Sequence, residues 1–348
     1  MIRLLLSAFL LFSSCALAAP EAPDPPYDER DDVRAFVAEM VERHGFDAAT
    51  LLTHFRKVTP SPPVIKAITP PDDPAARSWQ EYRDRFVDAK RIARGEDFWR
   101  KHEIALVRAQ ALYDVPAEII VAIIGVETLY GEITGGFDVF NALTNLAFDY
   151  PPRAALFRRE LEQLLLLARD ERRDPWDYRG SYAGAIGYPQ FLPSSIRNFA
   201  VDFDGDGRID LSASSADAIG SVGRFLYMHG WARGEPIWSP AKVSRGDTPK
   251  LLAEGIQPRR LPAEMAQFGV EADSALQLPA ALIDLTTPDA PTEYRLGYKN
   301  FYVLTRYNRS SFYASAVADL AVALLACRPQ APLAADLNAM EAPATGFR

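Results

Sequence analysis

The 348-residue chain is 48% apolar and 11% aromatic, enough for a packed core, which excludes a disordered, collagen-like or coiled-coil protein. Its formal charge of −8, from 38 basic and 46 acidic side chains, argues against a surface that grips nucleic acid. Two cysteines, Cys15 and Cys327, give no disulfide framework, and past the N-terminus no apolar run approaches the roughly 20 residues of a membrane-spanning helix.

At the N-terminus, Arg3 precedes an apolar run from Leu4 to Phe12 that reads as an export signal. Two processing points fit it. Ala16-Leu17-Ala18 has the small-x-small pattern of ordinary signal peptidase and makes 1–18 the signal peptide. Phe12-Ser13-Ser14-Cys15 has the form of a lipobox, with Phe12 where leucine is usual; it makes 1–14 the signal and Cys15 a lipid-bearing N-terminus. A Pro-rich, acidic tether spans 19–29 on the first reading.

Further along, Val33, Phe36, Val37, Met40 and Val41 recur at helical spacing, and the prolines from Pro60 to Pro74 mark an extended connection. Residues 78–113 are charged and helix-periodic with an interruption near Gly95, and 116–130 and 153–170 read as two more helices. Residues 235–280 carry Gly and Pro without a clear period. The runs 282–286, 293–298 and 301–307 look like short strands, 315–326 like a final apolar helix, and 329–348 is a Pro/Ala-rich tail. The expected class is mainly α with a small β part.

The helix starting at Pro116 holds the most chemical information. Proline suits a first turn, and Gly131 is placed to stop the helix. Ile119, Ile120, Val121, Ile123, Ile124 and Val126 cover every face, so the helix is buried all round. Glu127 then lies in apolar surroundings at the negative end of the helix, where both effects favour its protonated form, as a general acid requires. The alternative is a structural glutamate paired with an arginine. Residues 181–195 follow, with Ala183, Gly184, Ala185 and Gly187 among polar Ser181, Gln190, Ser194 and Ser195. The small residues permit close backbone approach to a ligand or to a packed helix, and Tyr182, Tyr188 and Phe191 offer flat faces for sugar rings.

An acidic loop comes next. Asp202, Asp204, Asp206 and Asp210 fall at positions 1, 3, 5 and 9 of an EF-hand loop, Gly207 at the sharp turn, and Arg208 where a carbonyl ligand is expected. Ala213 replaces the usual bidentate glutamate, and Asp217 is the substitute ligand in an enlarged loop. Structural Ca2+ is the expected cofactor; a solvated acidic turn is the alternative.

Taken in order, these stretches resemble the exported lytic murein transglycosylases of the B type. The resemblance runs through Gly125-Val-Glu127-Thr-Leu-Tyr-Gly131, 141–150, 181–195, 217–222 with His229-Gly-Trp231, and 305–310, and it covers residues 30–328. It implies a lysozyme-like helical core at 116–235 holding the EF-hand-like loop at 202–217. This core is flanked by a helical domain at 30–115, a small β-containing region at 236–304 and a site-closing segment at 305–328. It also implies cleavage of the β-1,4 bond from N-acetylmuramic acid to N-acetylglucosamine in peptidoglycan glycan strands, with Glu127 as the single acid/base. Ser181 and Gln190 would line the sugar groove, and Tyr307, Asn308 and Tyr313 would close the site. The acidic loop would be the family's calcium site, with Asp217 as the distant ligand. Periplasmic localisation follows, either soluble or anchored to the outer membrane through Cys15, with cell-wall enzyme complexes as candidate partners. The sequence departs from the family where Pro152 leaves Arg153 as the sole arginine of its pair and where Phe225 stands in place of a common tyrosine. Given the acidic overall charge, Arg153 and Arg306 would have to meet the peptide stems locally. A hydrolytic muramidase and a catalytically silent peptidoglycan-binding scaffold are the two other classes that fit.

Overall fold

The structure is a computed structural model that describes residues 25–70, 77–244, 247–272 and 276–328. The expected export signal with Cys15, residues 19–24 of the expected tether and the expected tail at 329–348 lie outside the described residues. The chain divides into two units, one ending at Thr59 and the other beginning at Pro60.

In the first unit a 3₁₀ turn, Tyr27–Glu29, leads into α1 (Asp31–His44) and α2 (Ala48–Arg56). The expected tether therefore ends in ordered structure: Tyr27 and Asp28 are buried, and the Asp28 carboxylate accepts from Arg56 Nε at 2.8 Å. Val33, Phe36, Val37 and Met40 form the buried face of α1, as their spacing requires. Phe36 meets Phe55 of α2 edge to face at 6.1 Å.

The second unit continues with α3 (Pro62–Ile68), α4 (Trp79–Phe86), α5 (Ala89–Lys101), α6 (Glu103–Tyr113) and α7 (Ala117–Thr128). The short β1 (Phe137–Asp138) precedes α8 (Val139–Asp149) and α9 (Ala154–Glu171), and pairs antiparallel with β2 (Arg179–Gly180). Then come α10 (Pro193–Phe199) and α11 (Ser215–Met228). The β part holds β3 (Trp238–Val243), α12 (Thr248–Ala253), α13 (Pro262–Met265), β4 (Val270–Ala272), β5 (Ala281–Leu285) and β6 (Glu293–Gly297). Its strands form one antiparallel sheet in the order β4-β3-β6-β5, over a core of Leu251, Met265, Leu282, Leu296 and Tyr298. Helices α14 (Lys299–Tyr307) and α15 (Ser311–Cys327) end the described chain.

Helix α7 is the axis of this unit. Its residues from Ile119 to Val126 are buried, and α5, α6, α11 and α15 pack against it. Two expectations needed correction. Gly95 interrupts nothing: it lies inside α5, where its lack of a side chain admits the Tyr130 hydroxyl and Leu324, and the helix breaks instead at Val87–Asp88 and His102. Residues 301–307 are helical, not a strand. Their aromatic and β-branched composition favours strands only as a weak prior, and buried Asn300, bonded to the Ala232 and Glu235 carbonyls at 2.9 and 2.8 Å, fixes the start of α14.

Candidate active site

Helix α7 ends abruptly because Leu129, Tyr130 and Gly131 take successive left-handed conformations, with φ of 51, 62 and 91°. Leu129 N–H returns to the Gly125 carbonyl at 3.1 Å and Tyr130 N–H to that of Ile124 at 3.3 Å. Thr128 Oγ1 donates to the Tyr188 carbonyl at 2.9 Å and accepts from Gly131 N at 3.0 Å, which ties the helix end to the 181–195 loop. A Cβ on Gly125 would stand 2.5 Å from the Tyr130 hydroxyl oxygen, so the glycine lets that ring fold back over the helix.

Glu127 sits one residue before this stop, half-buried, and accepts a hydrogen bond on Oε1 from the Tyr313 hydroxyl at 2.7 Å. Burial pushes its carboxyl up from 4.5 to about 7, against the opposing pull of the Tyr313 bond, which favours the carboxylate. Tyr313 is buried in the first turn of α15, whose start Ser310 caps by accepting from Tyr313 N at 3.3 Å. Tyr307, at the end of α14, lies parallel to Tyr313 at 6.3 Å and donates from its hydroxyl to the Pro189 carbonyl at 2.6 Å. The aromatic pair therefore joins Glu127 to the 181–195 loop. Burial first, then the Glu127 charge, holds both phenols well above the usual tyrosine range. Phe225, the departure from tyrosine, meets Tyr307 edge to face at 4.8 Å among Phe191, Phe199 and His229, an apolar setting that asks nothing of a hydroxyl.

The alternative of a glutamate paired with arginine fails here: Glu127 has no ion pair among the described residues. The nearby guanidinium of Arg91 instead donates from Nε to the Gly125 carbonyl at 3.0 Å, near the C-terminal end of α7. Among the described residues no second carboxylate acts on the Glu127 carboxyl. Glu118 lies nine residues up the same helix, about 13 Å by helical rise. Glu132 pairs with Arg94, and Asp138 with Arg179 at 2.5 Å.

The remaining expected residues are placed unevenly. Ser181 Oγ accepts from Ala183 N at 3.3 Å and Ala185 N at 3.1 Å, holding the small-residue turn. Gln190, at φ 50°, donates from Nε2 to the Thr134 and Gly187 carbonyls at 3.1 and 2.9 Å, which leaves its Oε1 without a partner among the described residues. Tyr182 is half-buried and Asn308 exposed at the end of α14. Arg153 is exposed ahead of α9 with its guanidinium over Phe157 at 5.3 Å, and none of its contacts among the described residues reaches the Glu127 cluster. Ser194 serves the fold, since buried Glu160 accepts from its N and Oγ at 3.0 and 2.8 Å. Sequence reading missed Tyr82. This residue of α4 meets Phe312 edge to face, and burial together with the nearby Glu127 charge pushes its phenol up to about 12. It comes from a charged segment remote in sequence, and only the fold brings it to the acid.

In the acidic loop, oxygens of Asp202, Asp204 and Asp217 lie within 4.8 Å of one another. Oxygens on one Ca2+ ion cannot be more than about 5 Å apart, so the donor set fits a hard divalent cation. Asp206 and Asp210 are outside this trio and bond to loop amides, Asp206 to Arg208 N at 2.8 Å and Asp210 to Ala213 N at 2.9 Å. Buried Asp217 accepts from Phe203 N at 2.7 Å and Asp210 N at 2.8 Å, so one carboxylate holds both limbs of the loop to the start of α11.

Comparison with known proteins places the fold and the family. A family model described as the transglycosylase SLT domain matches residues 28–322. The membrane-bound lytic murein transglycosylase B of Escherichia coli (strain K12) is 39% identical over 312 residues, which are 86% of this chain and 84% of that protein. The catenated lytic transglycosylase SltB1 from Pseudomonas aeruginosa aligns with a TM-score of 0.81 at 44% identity, covering 87% of this chain and 100% of that one. An Escherichia coli lytic transglycosylase solved in complex with calcium aligns with a TM-score of 0.75 at 37% identity, over 86% of this chain and 94% of that one. The lysozyme-like, mainly helical fold with a small β part expected from the sequence is the fold of these structures.

Proposed function

The chain belongs to the transglycosylase SLT-domain family, and on that footing we propose that it cleaves peptidoglycan as a lytic transglycosylase, with Glu127 acting first as acid and then as base. The observation that carries the reading is a carboxyl at the end of a buried apolar helix, gripped by a buried tyrosine hydroxyl at 2.7 Å and without an ion pair among the described residues. Protonated Glu127 donates to the oxygen linking N-acetylmuramic acid to N-acetylglucosamine. The C1–O bond breaks with its electron pair moving to that oxygen, while the muramoyl N-acetyl group stabilises the developing cation. The Glu127 carboxylate, stabilised by the Tyr313 hydroxyl, then takes the proton of the C6 hydroxyl as O6 closes on C1 to leave a 1,6-anhydro end. An intramolecular hydroxyl has the effective concentration to compete without an activated water. Two-carboxylate hydrolysis needs partners about 5 to 9.5 Å apart, and Glu118 is too far along α7 for that.

Ser181, Tyr182, Gln190, Asn308, Tyr307 and Tyr313 are the proposed sugar-binding set, and Arg153 a contact for peptide stems. The proposed Ca2+ ligands are Asp202, Asp204 and Asp217, completed by Asp206, Asp210 and the Arg208 carbonyl; a bound cation would cancel the mutual repulsion of these carboxylates and stiffen the loop. Export to the periplasm brings the chain to its substrate, with or without a lipid at Cys15.

Mass spectrometry of digested sacculi tests the reading. Wild type should yield anhydro-muropeptides and Glu127→Gln none, with both folded. Reducing ends alone would select a hydrolytic muramidase, and sacculus binding without cleavage a scaffold.

A further inference from the structure

Asp319 lies seven residues beyond Phe312 on α15, two turns along the same face. Arg295 of β6 grips it with two parallel bonds, Nη1 to Oδ1 at 2.7 Å and Nη2 to Oδ2 at 3.0 Å. Arg83 of α4 adds a third, Nε to Oδ2 at 2.8 Å. Arg295 Nε reaches on to Glu293 Oε1 at 2.6 Å, and Glu293 Oε2 accepts from Trp79 Nε1 of α4 at 3.0 Å. The Arg295 guanidinium lies 3.8 Å from the centre of the Trp238 ring. Two cations and two anions from three elements thus close one network around side chains that are 4% and 7% exposed, Arg295 and Asp319.

A buried ion network is a poor source of stability, because desolvation consumes most of its attraction; what it does enforce is one geometry. That geometry bears on the acid through Tyr82, next to Arg83 on α4, whose ring meets Phe312 at 5.7 Å. We infer that Arg83, Arg295 and Asp319 are positioning residues: their network fixes α4 on α15, seats Tyr82 beside Glu127 and keeps water from that side of the carboxyl. The inference rests on the general-acid reading above. Tyr313 of α15 bonds Glu127, Tyr307 of α14 lies parallel to Tyr313, Tyr82 of α4 meets Phe312 just before Tyr313, and Arg91 of α5 meets α7 at the Gly125 carbonyl; the test substitutes none of these.

The test is a ¹³C NMR titration of the glutamate carboxyls of the full chain, with Glu127 assigned by the signal lost in Glu127→Gln, run beside the pH profile of kcat/KM on sacculi. Arg83→Met is the informative variant, because Asp319 keeps Arg295 and no buried charge is left alone. Water admitted beside the carboxyl should lower its titration midpoint by about one unit and move the alkaline limb of the profile with it. Arg83→Lys should restore both, and Arg83→Gln gives the same reading if the methionine variant does not fold. A wild-type Glu127 that titrates in the ordinary carboxyl range overturns the general-acid reading itself. A wild-type midpoint near neutrality that Arg83→Met leaves in place, even with a lower melting temperature, overturns the role of the network alone.

Discussion

Replacing Glu127 with glutamine should stabilise the protein at high pH, by an amount the structure sets. Burial lifts the Glu127 carboxyl from 4.5 to about 7. Below 4.5 the folded and unfolded chains both hold this proton, and the group has no effect on the balance between them. Between 4.5 and 7 the unfolded chain releases a proton that the folded chain retains, so rising pH favours unfolding. Above 7 the full cost is present: a gap of about 2.5 units at about 1.36 kcal/mol each comes to about 3 kcal/mol. The amide never ionises and is free of this cost. Urea unfolding at pH 4, 6 and 8, followed by circular dichroism, should therefore show the two proteins matched at pH 4, with Glu127→Gln ahead by about 3 kcal/mol at pH 8. Parallel stability curves across that range would mean that the carboxyl is not held dry in the fold, and the argument for a proton donor would fail with it.

Tyr313→Phe removes a donor that favours the carboxylate, so the alkaline limb of the pH profile should move upward. Loss of a bond to a charged group, about 1.5–3 kcal/mol, should slow turnover about 10- to 100-fold; an unchanged limb would refute the contact. Chelation should lower the melting temperature of wild type but not of Asp217→Ala, which loses the carboxylate that holds Phe203 N and Asp210 N and should itself cost about 2–4 kcal/mol by denaturation. Gly125→Ala places a methyl 2.5 Å from the Tyr130 hydroxyl oxygen and 2.6 Å from Cζ; a loss of about 1–3 kcal/mol in urea midpoint measurements is expected as the ring is forced off the helix end.

Local features of the site were readable in the sequence and its long-range partners were not. Pro116, the all-apolar run and Gly131 announce a buried helix, and the structure ends it at Thr128, close to that reading. The acidic loop announces itself by spacing alone, yet which carboxylates converge could not be read from it: Asp217 joins Asp202 and Asp204, while Asp206 and Asp210 stand outside that trio. The misread segments are those where packing overrides composition. Gly95 resembles a breaker but is a point of close approach to Tyr130, and 301–307 resembles a strand but is wound into α14. Tyr82 and the Arg83–Asp319 pair had no local signal, because their meaning arises only when α4 is laid against α15, 236 residues away in the case of that pair.

The left-handed stop after α7 also limits how this stretch can diverge. Leu129 and Tyr130 hold torsions that asparagine, aspartate or glycine adopt at least strain, yet Tyr130 cannot shrink to one of these without emptying the space its ring fills above Gly95 and Gly125. Evolutionary drift at positions 125 and 130 is therefore coupled. A lineage that keeps the ring at 130 must retain Gly125, and one that loses it is released there, while Gly95 stays held by Leu324, whose Cδ2 a Cβ would meet at 2.5 Å.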